Sequence, residues 1–227
     1  MGRASRTQAA EHRKQLVAAA GEMFRERGFG ASLAELTGAV GLTVGGFYRQ
    51  FSSKEALLSE ATEQAFQQLQ ALLGQLEAAH DGDDVGTCEA LFEYYLSPEH
   101  RDDAATGCPA SGLCADVSRQ PSGSEVRERY LHGVTDLAGW LGDHMVGAAE
   151  DRQPDGVTGD AAAAAAPDEA LVALCTMVGA LILARATAGS PFSERLLTTT
   201  RAALTTPNRS ISTTAPTGLG GDRGFSG

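Results

Sequence analysis

An all-α fold is predicted by three observations. Apolar residues recur three and four apart from Glu11 to Thr205. Ser and Thr stand repeatedly where a helix would start, followed by Glu three residues on or by Pro one residue on. No stretch of useful length alternates with period two. With 42% hydrophobic and 21% charged residues among 227, the chain has ordinary means to bury a core.

In Glu11–Arg27, Leu16, Ala20, Met23 and Phe24 form one apolar face, and Gly28 and Gly30 stop the helix. Ser32 and Glu35 form a capping box for a short helix through Leu33, Leu36 and Val40, closed by Gly41. Thr43 suits the N-cap of a second short helix carrying Phe47 and Phe51. Ser52 with Glu55 is expected to open a long helix through Leu57, Leu58, Ala61, Ala65, Leu69, Leu72 and Leu76, ended by His80-Asp81-Gly82-Asp83-Asp84. Further helices are expected over Glu89–Leu96, Pro109–Ser118, Glu125–Met145, Glu169–Ala188 and Phe192–Thr205, with loops at Glu99–Gly107 and Asp151–Ala166. This gives an N-terminal three-helix unit over residues 1–52, a larger helical domain over 53–206, and a Ser/Thr/Gly/Pro-rich tail over 207–227 that is expected to be disordered.

Several classes are set aside. The uncharged apolar stretch Ala170–Ala184 is shorter than the roughly 20 residues of a spanning helix. The basic N-terminus has no apolar segment behind it, so no secretory signal is expected and a cytoplasmic location is. Cys88, Cys108, Cys114 and Cys175 are far apart and expected to be free thiols. The five His show no ligand spacing, so neither a metal nor a cofactor is expected.

Net charge is −11, but it is unevenly spread. Up to Lys54 there are eight Lys/Arg against four Glu, a balance of +4; from Glu55 onward ten Arg face 25 Asp/Glu, a balance of −15. A basic head on an acidic body is compatible with a phosphate-binding module at one end.

Two short helices joined by a Gly-containing turn, after a longer one, form a helix-turn-helix arrangement. Residues 19–58 resemble the DNA-binding domain of TetR-family transcriptional regulators. The resemblance is carried by Phe24, Gly28-Phe29, Ser32, Leu36, Gly41, Gly46-Phe47-Tyr48, Phe51, Ser53-Lys54-Glu55 and Leu57. It implies a homodimer, double-stranded DNA with a palindromic operator as partner, no enzymatic activity, and a C-terminal helical domain that binds a ligand and releases the operator. It also implies that sequence-reading residues lie around the start of the second short helix, here Thr43, Val44, Gly45 and Gly46. Gly45 and Gly46 cost helix propensity and let the backbone approach a groove. Tyr48, Arg49 and Gln50 are candidate phosphate or base contacts, and Lys54 a phosphate contact. Ser32 and Thr43 suit either phosphate contact or capping alone. Arg3–Arg6 is either a minor-groove arm or, as preferred, a disordered start.

Leu171, Leu174, Val178, Leu181 and Ile182, with Leu196, Leu197 and Leu204, offer more apolar surface than one small bundle hides, which suggests dimerisation through the last two helices. Two ways of sensing are open. Cys108 precedes Pro109 and would be an N-cap thiol, ionised and open to an oxidant or electrophile if accessible, or else a small buried hydrophobe. Tyr94, Trp140, His144 and Met177, with Phe92 and Tyr95, are the candidates to line a pocket for a small-molecule inducer. The competing classes are a thiol enzyme built on Cys108 and a helical interaction protein without DNA binding.

Overall fold

The structure is a computed structural model that describes residues 3–145 and 166–206, all helices and connecting turns. All but the last residue of the expected loop 151–166, and the whole of the expected tail 207–227, lie outside the described residues. The helices are α1 (Arg3–Arg27), α2 (Leu33–Ala39), α3 (Val44–Phe47), α4 (Lys54–His80), α5 (Asp84–Tyr95), α6 (Pro98–Asp102), α7 (Pro109–Gly112), α8 (Cys114–Ser118), α9 (Glu125–Met145), α10 (Asp168–Ala186) and α11 (Pro191–Thr205).

The head forms as its local signals dictate. Gly28 takes φ +80°, where a side chain would be strained, and its N–H returns to the Phe24 carbonyl. Ser32 accepts from the Glu35 N–H while the Glu35 carboxylate accepts from the Ser32 N–H at 2.8 Å, completing the capping box. Thr43 caps α3 through the Gly46 N–H. Leu16, Ala20 and Phe24 of α1 meet Leu36, Phe47 and Phe51, and α4 adds Leu57, Leu58 and Ala61 to the same core. Leu113, Val117 and Val126 join it from the body, so head and body share apolar contacts.

The body is a second core of Phe66, Leu69, Leu73, Leu91, Phe92, Tyr95, Leu137, Leu141, Leu174, Met177 and Leu181, drawn from α4, α5, α9 and α10, closed by Leu197 of α11. Deleting a buried Leu of this kind costs about 2–5 kcal/mol.

Five element boundaries differ from the sequence expectation. The first helix starts at Arg3 rather than Glu11, so the backbone there is helical and not a disordered start. That segment has no Pro and, beyond Gly2, no Gly; helix propensity extends it where apolar periodicity is silent. The cap of α4 is Ser53, which accepts from the Ala56 N–H, not Ser52. This leaves Glu55 out of a capping box. Asp83 caps α5 through the Gly86 N–H, so that helix opens at Asp84 rather than Glu89. Ser97 caps the short α6 with Pro98 in its first turn, inside a stretch expected to be loop. Pro109–Ser118 is broken at Leu113 into α7 and α8.

Candidate nucleic-acid interface

The outer edge of the head is α3 and the turn after it. Phe47 is wholly buried and stacks on Phe51, fixing which face of α3 turns inward. Around it the surface is open: Val44 is 41% exposed, Tyr48 59% exposed, and Thr43, Gly45 and Arg49 are exposed as well. Gly46 and Gln50 are half-buried.

Neither glycine answers to the fold. A methyl built on Gly45 meets nothing nearer than the Thr43 Oγ1 at 3.9 Å; on Gly46 the nearest atoms are that oxygen at 3.5 Å and Leu42 carbons at 3.8 Å. These are ordinary contacts, and neither glycine has a left-handed φ. Gly28 is the contrast, since a methyl there would stand 2.5 Å from the Asp116 carboxylate oxygen.

The remaining candidates are partly engaged within the head. The Ser32 hydroxyl both accepts from the Glu35 N–H and donates to its carboxylate at 2.7 Å, a pairing that holds the Glu35 carboxyl below its ordinary pKa. The half-buried Lys54 ammonium donates to the Phe29 carbonyl at 2.6 Å, tying the start of α4 to the turn after α1, with two N–H donors left over. Sequence reasoning missed Arg13. Its guanidinium lies 3.9 Å from the Phe51 ring centroid, donates to the Gln50 carbonyl and pairs with Glu60, clamping the turn behind α3. Only long-range contacts could have found it, because its partners lie 37 and 47 residues away.

In the body, Cys108 is the N-terminal cap residue of α7 as expected, but it is only 5% exposed. Burial pushes its thiol pKa up, although the Tyr95 hydroxyl, the Ala110 and Ser111 N–H groups and the Arg185 charge all favour the thiolate. The accessible, ionised thiol is thus not what the fold provides. The reason is packing: α7 is wedged between α1 and α10. Arg25 donates from α1 to the Ala105 carbonyl at 2.6 Å, its aliphatic stem 3.2 Å from the position of a Cβ on Gly112. Arg185 donates from α10 to the Ser111 Oγ and to the His100 and Arg101 carbonyls.

His100 is buried in the same region and its pKa is lowered, first by desolvation. Its Nε2 accepts from the Cys108 N–H at 3.0 Å, so Nδ1 carries the proton and donates to the Tyr95 carbonyl at 2.8 Å. A folded pKa below the unfolded one means that the unfolded chain binds the extra proton first. The stability His100 contributes is fully present above about pH 6.5 and is lost as pH falls from there toward the folded value, at up to about 1.4 kcal/mol per pH unit. Thermal unfolding at pH 7.5 and 5.5 should therefore show a larger drop for the wild type than for His100→Asn, even though the variant is less stable at pH 7.5. An equal drop in both would remove His100 from the acid response.

The other sensing candidates are not brought to one cavity. Tyr94 is exposed and stacks on His100; Met177 is wholly buried in the body core. Trp140 and His144 stack together, with the indole N–H donating to Glu77 and His144 Nε2 3.5 Å from the same carboxylate. Trp140 lines a cleft of about 220 Å³ between α4 and α9 with Phe66, Leu69, Leu137, Glu77 and Asp136. All four cysteines are free thiols, Cys114 and Cys175 exposed. Among the described residues no cluster of three or more His, Cys, Asp or Glu could hold a metal ion.

Comparison with known proteins places this architecture. Residues 16–61 match the family model of bacterial regulatory proteins, tetR family. No curated protein matches the chain by sequence. Among solved structures, the reduced form of E. coli NemR is similar at TM-score 0.68 and 22% identity, covering 86% of this chain and 95% of that one. A TetR-family regulator from Agrobacterium tumefaciens is similar at 0.67 and 22%, covering 86% and 97%. One from Chloroflexus aurantiacus is similar at 0.67 and 24%, covering 88% and 94%. Residues 16–61 are thus a TetR-family N-terminal domain, set on a helical body with the fold of TetR-family regulators.

Proposed function

We propose that this chain is a DNA-binding transcriptional repressor, working in the cytoplasm as a homodimer on a palindromic operator. The observation that carries the reading is the pair Gly45 and Gly46. They leave two successive positions of α3 bare although the fold has room for a side chain at both. Glycines of this kind lower helix propensity without serving packing, and close approach of the backbone to a groove wall accounts for them. Thr43, Val44, Tyr48, Arg49 and Gln50 then face the DNA, with Lys54 and Ser32 at its edge. The +4 balance of the first 54 residues supplies a field the acidic body lacks.

Release is by an inducer that favours a state whose two heads no longer match the operator spacing. The segment from His100 to Gly112 suits transmission, since it is hydrogen-bonded both to Arg25 of the head and to Arg185 of α10. The inducer is a small molecule, and the cleft beside Trp140 is where an aromatic face and carboxylates converge. A second reading, release by modification of Cys108 by an oxidant or electrophile, is favoured by the four groups around its sulfur that stabilise an anion, and opposed by its burial. It requires opening of the α7 segment first.

Fluorescence anisotropy against DNA from upstream of the protein's own gene tests both. The repressor reading expects tight binding that weakens steeply as salt rises. The cysteine reading expects a mild thiol oxidant to abolish that binding in the wild type and not in Cys108→Ser. Oxidation without effect in either protein leaves the small-molecule inducer. A thiol enzyme would instead turn over substrate with no such salt dependence.

A further inference from the structure

The hydrogen-bonding groups near the leading turn of α3 are largely spent within the head. The Thr43 oxygen accepts from the Gly46 N–H, Ser32 and Glu35 are locked to each other, and Lys54 holds the Phe29 carbonyl. The two positions after Val44 have no side chain at all. What α3 turns outward at its very start is therefore the Val44 isopropyl group, 41% exposed on the first helical residue. That branched aliphatic is left in good part open to solvent, while Phe47 fills the core beneath.

Resting on the DNA-binding reading, we infer that Val44 determines sequence specificity by recognising the 5-methyl group of thymine at one position in each half-site. In the major groove the thymine methyl is the apolar feature by which base pairs differ, and an aliphatic side chain discriminates by contact with it and by nothing else. Glycine at positions 45 and 46 brings Val44 down to the base edges instead of holding it off. Tyr48 and Arg49, in the turn that follows α3, carry polar ends suited to phosphate. Two consequences follow from the chemistry. The operator has a required thymine in each half-site, and 5-methylcytosine at that place is preferred over cytosine.

The test begins with selection of duplexes from a random library by the full-length wild-type protein. Each thymine of the selected duplex is then replaced singly by uracil, which removes only the methyl. One symmetry-related position should weaken binding about fourfold per half-site, the worth of one buried methyl, and more than about tenfold when both are replaced. In Val44→Ala the ratio of thymine to uracil affinity at that position should fall to near one, with the salt dependence of binding unchanged and, because Val44 is exposed, the melting temperature near that of the wild type. The inference is overturned if no uracil matters to the wild type, or if Val44→Ala keeps the same ratio. Failure to enrich any duplex would overturn the DNA-binding reading itself, and Val44 with it.

Discussion

Replacing both Gly45 and Gly46 by Ala should yield a protein that melts higher than the wild type and binds its operator at least about tenfold more weakly. The stability half follows from the head alone. Both positions lie in the first turns of α3, their φ angles are not left-handed, and the new methyls meet only Thr43 Oγ1 and Leu42 at ordinary distances. Glycine to alanine in such a place gains up to about 1 kcal/mol per site through reduced freedom of the unfolded chain. The binding half follows from the same bare surface. If the backbone of α3 rests against base edges or sugar-phosphate, each methyl must push it away, and overpacking a close contact costs about 1–3 kcal/mol. About 1.4 kcal/mol is tenfold in affinity. Thermal melting and anisotropy on the same preparation read both effects. Their opposite signs are the content of the prediction, because a substitution that merely damaged the head would lower both. Unchanged affinity with raised stability would take α3 away from the DNA.

The head is legible in the sequence because its signals are local. The Ser32–Glu35 box, the Thr43 cap and the glycines after α1 and α2 act over three or four residues, and each closes as the spacing predicts. Periodicity assigns Phe47, Phe51 and Leu36 to the core, and they are there. The interior of the body is much less legible. Cys108 has a cap's place in the sequence, and it does stand just before the first turn of α7. What decides its chemistry is burial, and that comes from Arg25 and Arg185, about 80 residues away on either side. The same holds for Trp140, whose indole finds Glu77 on α4, and for Arg13 beneath Phe51. Periodicity names the face of a helix and is silent about which helix will meet it.

The α10 helix shows how far a pattern can carry without settling its meaning. By length and composition this 19-residue helix would suit a membrane crossing, with a mean hydropathy of 1.8 over an 18-residue window. Yet Ala170, Met177, Leu181 and Ala184 are wholly buried in the body core, so one face already has its partner. Apolar residues on the remaining faces are what need explaining. Scattered exposed apolar residues are common on soluble proteins, but a contiguous patch of them marks a contact surface.

Val172→Glu combined with Leu183→Glu should convert the protein to a monomer and reduce operator affinity by about a hundredfold or more, with the helical content of each protomer intact. Val172 is 63% and Leu183 54% exposed, and Cys175 and Gly179 lie between them at helical spacing, so the four line one stripe along α10. A methyl on Gly179 would meet nothing within 4 Å, which leaves room for another helix to approach closely there. Leu171 and Ile182 flank the stripe, and Phe192 of α11 is exposed as well. In the homodimer proposed above, a second copy of the same surface would cover this patch by two-fold symmetry, in a four-helix interface from two α10–α11 pairs. Two carboxylates per protomer in its centre would have to be desolvated face to face, at a cost far above the packing energy of the two apolar side chains they replace. Both side chains are mostly exposed, so each protomer should still fold. The consequence for DNA is arithmetic. One head alone makes few contacts, and tight binding requires two, held about 34 Å apart, where the second binds at the high effective concentration the first provides. Light scattering at micromolar concentration gives the mass and anisotropy the affinity. A double variant that remains a dimer would move the interface off α10. A monomer that keeps wild-type affinity would separate dimerisation from DNA binding.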